Sequence, residues 1–92
     1  MSTVSTVFVV LPMGKAGLLE AEELERTLKF FLARREINHT SRSYWDDGEY
    51  ETEYGVRLDL DPELCDDHFV RLLGGIVYVT AQLYGEIRIQ LR

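Results

Sequence analysis

The chain of 92 residues is long enough for one small domain, and its apolar share of 46% excludes a disordered acidic segment. Cys65 is the only cysteine, which excludes a fold held together by disulfides within the chain and favours a reducing, cytoplasmic location. The net charge of −6 at pH 7 and the scarcity of clustered Lys and Arg argue against direct binding to nucleic acid or to an anionic membrane.

Two elements are predicted in the first third of the chain. Residues 3–11 are rich in β-branched side chains and are followed by Pro12, which predicts a buried strand that is too short to span a membrane. From residue 16 to residue 36, apolar side chains recur at intervals of three and four, which predicts a helix. Its acidic residues come early and its basic residues late, as the helix dipole favours.

The segment after this helix predicts a β-hairpin. Asp47-Gly48 is a favoured pair for a two-residue type I′ turn, and residues 49–60 alternate between two faces of a strand. With the turn at this pair, Trp45 would face Tyr50 on the buried side of the sheet. Tyr44 would then lie on the solvent side.

A second helix is predicted to begin at Asp61-Pro62, an N-cap residue followed by a favoured first helical residue, and to end at Gly74-Gly75. Residues 76–83 have the composition of a strand and residues 86–91 alternate, which favours a second hairpin. The alternative is a helix that continues through the glycines, because the apolar residues from 72 to 83 also form a helical stripe. Two glycines inside a helix would cost about 2 kcal/mol relative to alanine, so the hairpin is preferred.

The predicted order is a strand, a helix, two hairpin strands, a helix and a final strand or strand pair. This β-α-β-β-α-β order is that of a ferredoxin-like sandwich, an α+β fold in which an antiparallel sheet carries two helices on one face. We therefore expect residues 1–92 to form a single domain of this fold class, with a possible extra C-terminal strand.

Negative charge is concentrated in the middle of the chain. Residues 46–67 hold ten acidic residues and one basic residue, a net charge of −9. Glutamates at alternate strand positions would stand about 7 Å apart in one row, close to the spacing of successive phosphates on a nucleic acid strand. We expect this row to dock on a basic, nucleic-acid-binding protein surface by partial mimicry. The residues expected to contact the partner are Tyr44, Asp46, Asp47, Glu49, Glu51, Glu53 and Asp59.

The acidic residues can also be explained without a binding partner. Acidic residues on one strand face serve solvation, or discourage pairing between sheet edges, without any partner.

The sequence predicts no catalytic site, metal site or cofactor. Cys65 and His68 lie three residues apart, but a zinc site would need more thiolate or imidazole ligands than the chain offers. The leading hypothesis is therefore a small acidic inhibitor that is not an enzyme and acts by binding a protein. The alternatives are a small-molecule-binding regulatory module, a small ferredoxin-like enzyme, and a structural subunit that adds its edge strand to a neighbour. A homodimer is also considered.

Overall fold

Four strands and two helices make up the part of the chain that the structure, a computed structural model, describes: residues 5–14 and 17–91. In chain order the elements are β1 (Thr6–Val10), α1 (Leu18–Arg34), β2 (His39–Asp47), β3 (Thr52–Leu60), α2 (Asp66–Tyr84) and β4 (Arg88–Leu91). The strands form one antiparallel sheet in the order β2-β3-β1-β4. The expected α+β composition is confirmed. The predicted beginnings of the first strand at residue 3 and of the first helix at residue 16 lie outside the described residues.

One face of the sheet packs against both helices to form the core. Val7 pairs with Leu58 and Val9 pairs with Val56, so these four side chains leave the sheet on the same side. They pack against the following fully or nearly fully buried helical residues: Ala21, Leu24, Leu28 and Leu32 of α1, and Phe69, Leu72 and Ile76 of α2. Full burial of each large apolar side chain contributes roughly 1.5–3 kcal/mol. Neither helix of the described chain combines the length and apolar composition that crossing a membrane requires.

Helix α1 agrees with its predicted pattern. It begins after Gly17, whose N–H donates to Glu20 Oε2 at 3.0 Å. Its buried residues recur every three or four positions, as an amphipathic helix requires. It ends at Arg34, and Glu36 then adopts a positive φ of 56° that turns the chain towards β2.

The hairpin between β2 and β3 has a longer loop than predicted. Strand β2 ends at Asp47 and β3 begins at Thr52, so residues 48–51 form the connection. Within it, Gly48 N–H donates to Glu51 C=O at 2.8 Å. Neither Asp47 nor Gly48 has the positive φ that a type I′ turn needs at both central residues, so the two-residue turn was wrong.

The pairing register of the hairpin shifts accordingly. Trp45 faces Tyr54 rather than Tyr50, and Tyr44 faces Gly55. Because the shift is by an even number of positions, every side chain of β3 keeps the face that the alternation predicted. Tyr50, expected to be inside, is 90% exposed in the loop.

Helix α2 departs most from the favoured prediction. It begins at Asp66, with Cys65 as its N-cap, and continues through Gly74 and Gly75 to Tyr84. The preferred second hairpin over residues 76–83 was therefore wrong, and the helical alternative is confirmed. The described chain has no additional strand after α2 besides β4.

Two features explain why the glycines do not end α2. Phe69, Leu72 and Ile76 form one buried stripe, whose burial outweighs a helix cost of about 2 kcal/mol for two glycines. A Cβ at position 75 would lie only 2.6 Å from Phe31 Cζ, so Gly75 lets the α1 ring approach α2 closely. The predicted start at Asp61 is instead a short turn in which Asp61 Oδ1 accepts from Glu63 N–H at 2.9 Å.

Candidate interaction surfaces

The sheet face opposite the helices carries several residues that were predicted to contact a partner. Tyr44 Oη donates to Glu53 Oε2 at 3.0 Å. Arg88 of β4 donates from Nη2 to Glu53 Oε1 at 2.6 Å. Both carboxylate oxygens of Glu53 are therefore bound within the chain, which makes Glu53 a weak candidate for a partner contact.

Asp59 is likewise held by its own chain. Arg57 donates to it from Nε at 3.0 Å and from Nη2 at 3.2 Å, and Thr6 Oγ1 donates to Asp59 Oδ1 at 2.8 Å. The hydrogen bond from Arg57 has the largest effect and, with the bond from Thr6, outweighs burial, so the pKa of Asp59 lies below its ordinary value. The charged carboxylate of Asp59 is therefore bound in a hydrogen-bond network with Arg57 and Thr6.

The predicted row of three glutamates is not formed. Only Glu53 lies in β3, whereas Glu49 and Glu51 lie in the loop, because strand pairing begins at residue 52. Side chains in a loop do not share the two-residue repeat of a strand. The regular spacing on which phosphate mimicry depended is therefore absent.

A different acidic surface is found where the hairpin turns. We call residues 46–51 the hairpin tip; all of them are exposed. Its carboxylates are those of Asp46, Asp47, Glu49 and Glu51. In residues 5–14 and 17–91, no Lys or Arg forms an ion pair with any of them. Tyr50 stands among these acids with 90% of its surface exposed.

The hairpin tip extends past the neighbouring strand. The pairing of β1 with β3 covers residues 55–59 of β3, and Leu11 N–H adds one hydrogen bond to Tyr54 C=O at 3.0 Å. Beyond that point, within the described residues, β2 and β3 pair only with each other. Trp45, just before the tip, is 57% exposed although it leaves the sheet on the helix side. The tip therefore combines negative charge with accessible aromatic surface.

A second acidic group lies at the opposite end of β3. It consists of Asp61, Glu63, Asp66 and Asp67, which precede or open α2. Asp66 and Asp67 lie in the first helical turn, where negative charge is stabilised by the helix dipole. Eight of the ten acidic residues in residues 46–67 thus lie in two groups at the ends of a nine-residue strand, roughly 30 Å apart.

Two cross-strand pairs bring like charges together on the open face. Arg42 lies opposite Arg57, and Asp46 lies opposite Glu53. Such pairs destabilise a sheet unless other charges compensate. Arg57 is compensated by Asp59, but Arg42 and Asp46 are exposed and form no ion pair with another described residue. The predicted two-residue turn would have placed Arg42 opposite Glu53 and Asp46 opposite Glu49, and both of these pairings were wrong.

Aromatic rings lie beside these arginines. Phe8 and Tyr44 meet edge to face, with ring centroids 5.5 Å apart and an interplanar angle of 80°. The Arg57 guanidinium lies 5.8 Å from the centroid of Phe8. Phe8 belongs to an apolar run that suggested complete burial, so its place on the open face was not expected.

A groove of about 430 Å³ lies where α2 ends and β4 begins. Val10, Met13, Tyr84 and Arg88 are among its lining residues. Tyr84 Oη donates to the main-chain oxygen of Glu20 at 3.2 Å, and burial, with some help from nearby carboxylates, raises the pKa of Tyr84. The groove has a size suited to a small molecule.

The described residues give little support for a metal site or for a reactive thiol. No group of three His, Cys, Asp or Glu side chains there is arranged to hold a metal ion. Cys65 and His68 are both exposed at the start of α2.

Comparisons of the chain with protein-family models, with curated proteins and with solved structures find no significant match.

Proposed function

We propose that the chain is a small acidic interaction protein, without enzymatic activity, whose hairpin tip docks on a basic surface of a protein partner. The proposed surface is one with which the partner holds nucleic acid, so that docking inhibits the partner by occupying it. Glu53 and Asp59 would contribute through the sheet they stabilise rather than through direct contact.

The observation that carries this proposal is the exposure of the tip. Its four carboxylates lie together without an ion pair to another described residue, and Tyr50 is 90% exposed between them. Folding alone gives no reason for a tyrosine at this position to be outside, whereas tyrosine is enriched among residues that dominate interface energies. Negative charge around it would steer a basic partner and would weaken as salt increases.

Removal of three tip charges tests the proposal. The variant Asp47→Asn, Glu49→Gln, Glu51→Gln is titrated against purified basic nucleic-acid-binding domains and against a polyarginine peptide, each at several salt concentrations. We expect the unmodified chain to bind some of these probes with an affinity that falls as salt rises, and the variant to bind at least roughly tenfold more weakly at low salt.

A matched control separates the tip from the overall charge. The variant Glu63→Gln, Asp66→Asn, Asp67→Asn loses the same number of charges at the other end of β3. It should retain the affinity of the unmodified chain. Equal losses in the two variants, an affinity that does not change with salt, or no binding to any probe would each contradict the proposal.

The aromatic contribution is tested separately. Tyr50→Ala changes no charge, and in the loop it removes no packing contact of the core. We expect it to weaken binding at all salt concentrations, because loss of buried aromatic surface is not screened by ions.

We also infer that the fold belongs to the ferredoxin-like class and that the chain works in the cytoplasm. The element order β-α-β-β-α-β and the strand order β2-β3-β1-β4, which is β4-β1-β3-β2 from the other edge, support the fold. The single cysteine, exposed at the start of α2, supports a reducing compartment.

The groove beside α2 supports a second candidate function, a small-molecule-binding module. Its volume of about 430 Å³ and its mixture of apolar residues with Arg88 and Glu86 are typical of a site for a small molecule. Screening small organic anions and cations by thermal shift, with Met13→Glu as a blocked variant, tests it. Stabilisation that persists in the blocked variant would contradict this site.

A further inference from the structure

Strand β2 leaves one of its sides unpaired in the described structure. It is nine residues long and lies at the edge of the sheet, and among the described strands only β3 neighbours it. The N–H and C=O groups on the outer side of an edge strand are a template for another strand. An edge of this length, unless blocked, is therefore a surface for strand addition.

The charges on β2 indicate what could pair with it. Within the sheet, Arg42 faces Arg57 and Asp46 faces Glu53, so both side chains meet a like charge on the β3 side. A strand that offered an acidic residue to Arg42 and a basic residue to Asp46 would supply opposite charges on the free side. A second copy of β2, running antiparallel, carries both.

The charges of Arg42 and Asp46 determine which register two paired β2 strands should adopt. Two copies that keep their helices on the same side of a continuous sheet must pair residues of the same face. If the two-fold axis passed through Arg42, the two copies of Arg42 would lie opposite each other. If it passed through Asp46, the two copies of Asp46 would do so. Centring on Tyr44 places Arg42 of each copy opposite Asp46 of the other.

We propose that two copies of this chain associate through antiparallel pairing of their β2 strands, with the two Tyr44 residues opposite each other at the two-fold axis. The paired segment comprises residues 41–47 of each copy. The result is one continuous eight-stranded sheet with a reciprocal pair of Arg42–Asp46 ion pairs on its open face.

This association goes beyond the proposed partner binding and does not depend on it. The paired segment includes Asp46 and Asp47 but leaves Glu49, Tyr50 and Glu51 outside the ladder. Because the two β2 strands are antiparallel, the two hairpin tips point in opposite directions. The dimer would therefore present two separate tips to partners.

Charge reversal tests the proposed register. Arg42→Asp gives each copy acidic residues at both positions, and Asp46→Arg gives it basic residues at both. Sedimentation equilibrium should show dimers for the unmodified chain. Each single variant should dissociate roughly ten- to a hundredfold more readily, because two attractive pairs become two repulsive ones.

Mixing the two single variants is the decisive measurement. In a mixed dimer, both cross-strand positions again carry opposite charges, so the variants should associate with each other more tightly than either does with itself. The double variant Arg42→Asp, Asp46→Arg should also recover the dimer. Circular dichroism of each variant shows whether the fold is intact.

Three outcomes would overturn the proposal. The unmodified chain could remain a monomer up to millimolar concentration, or its dimer could be insensitive to both single variants. Folded single variants could also fail to associate on mixing. An unmodified chain that stays monomeric but shows tip-dependent binding would refute this interface alone and leave the partner proposal intact.

Discussion

The ring of Tyr44 occupies the space above Gly55, its cross-strand neighbour. A Cβ on Gly55 would lie 2.8 Å from Tyr44 Oη and would also collide with the main-chain oxygen of Val9. A glycine in a strand often marks such a close approach. The two-residue turn would have moved Gly55 away from this ring, so the pair identifies the register of the hairpin.

Gly55→Ala should destabilise the protein. Alanine at an ordinary strand position would be favourable relative to glycine, but here the added methyl group meets two obstacles, so we expect a loss of about 1–3 kcal/mol. Urea denaturation followed by circular dichroism measures it. Adding Tyr44→Ala should recover only part of the loss, because the Val9 carbonyl remains. No loss in Gly55→Ala would contradict the observed register.

The two glycines of α2 should respond in opposite directions to alanine. Nothing lies within 4 Å of a Cβ at position 74, so Gly74→Ala should stabilise the protein by about 0.5–1 kcal/mol through helix propensity. Gly75→Ala should destabilise it, since the ring of Phe31 lies 2.6 Å from the new atom. Arg35, 3.6 Å from the centroid of that ring, limits its movement.

A compensating substitution checks the cause of this difference. Phe31→Leu combined with Gly75→Ala should regain part of the stability lost in Gly75→Ala alone. Thermal unfolding of the variants measures the effects. Equal responses at positions 74 and 75 would argue against a continuous helix packed on Phe31.

Asp59 should make a stability contribution that depends on pH. Its pKa is lowered in the folded state, chiefly by Arg57, so the contribution is present above the unfolded-state pKa and is lost as pH falls through the folded-state pKa. Asp59→Asn should lower the free energy of unfolding by about 0.2–1 kcal/mol at neutral pH, a small value because 47% of the Arg57 side chain and 39% of the Asp59 side chain are exposed to screening by water. The difference from the unmodified chain should shrink between about pH 5 and pH 2 in urea titrations.

The ion pair of Glu53 with Arg88 should couple two strands that do not neighbour each other. A double-mutant cycle with Glu53→Gln and Arg88→Met measures the coupling, for which we expect about 0.2–1 kcal/mol at low salt and less at high salt. Removal of Arg88 alone should lower the free energy of unfolding more than removal of both Arg88 and Glu53. Without Arg88, the charge of Glu53 would face that of Asp46 with no positive charge to compensate it. Additive single effects would show that the pair contributes nothing.

Much of the fold could be predicted where the pattern was long. The alternation of β3 correctly placed Val56 and Leu58 in the core, and the three- and four-residue recurrence in α1 did the same for Leu24 and Leu28. These signals sum over many residues, so one misplaced turn does not change the faces they assign.

The predictions failed where a local pair of residues suggests one structure and a contact between distant residues favours another. Asp47-Gly48 suits a tight turn, but the approach of Tyr44 to Gly55 across the strands favours a longer loop. Gly74-Gly75 suggests a helix end, but the contact of Phe31 with Gly75 requires a residue without a side chain. Both contacts join distant parts of the chain and are invisible to local patterns.

The candidate site depended on the same register. The exposed acids of the hairpin tip were predicted as partner contacts, and the structure places them together. The ion pairs that hold Glu53 and Asp59 were not foreseen, because Arg88 and Arg57 reach them only in the folded sheet. Composition located the negative charge correctly along the chain, but it could not show which carboxylates are already bound.

Trp45 is the only tryptophan of the chain, and 57% of its surface is exposed beside the hairpin tip. The intrinsic emission of the protein on excitation of tryptophan therefore originates from a single, accessible indole. Occupation of the tip or addition of a strand at β2 would change the water around that indole. Either event should therefore change the tryptophan fluorescence, which follows binding without an added dye.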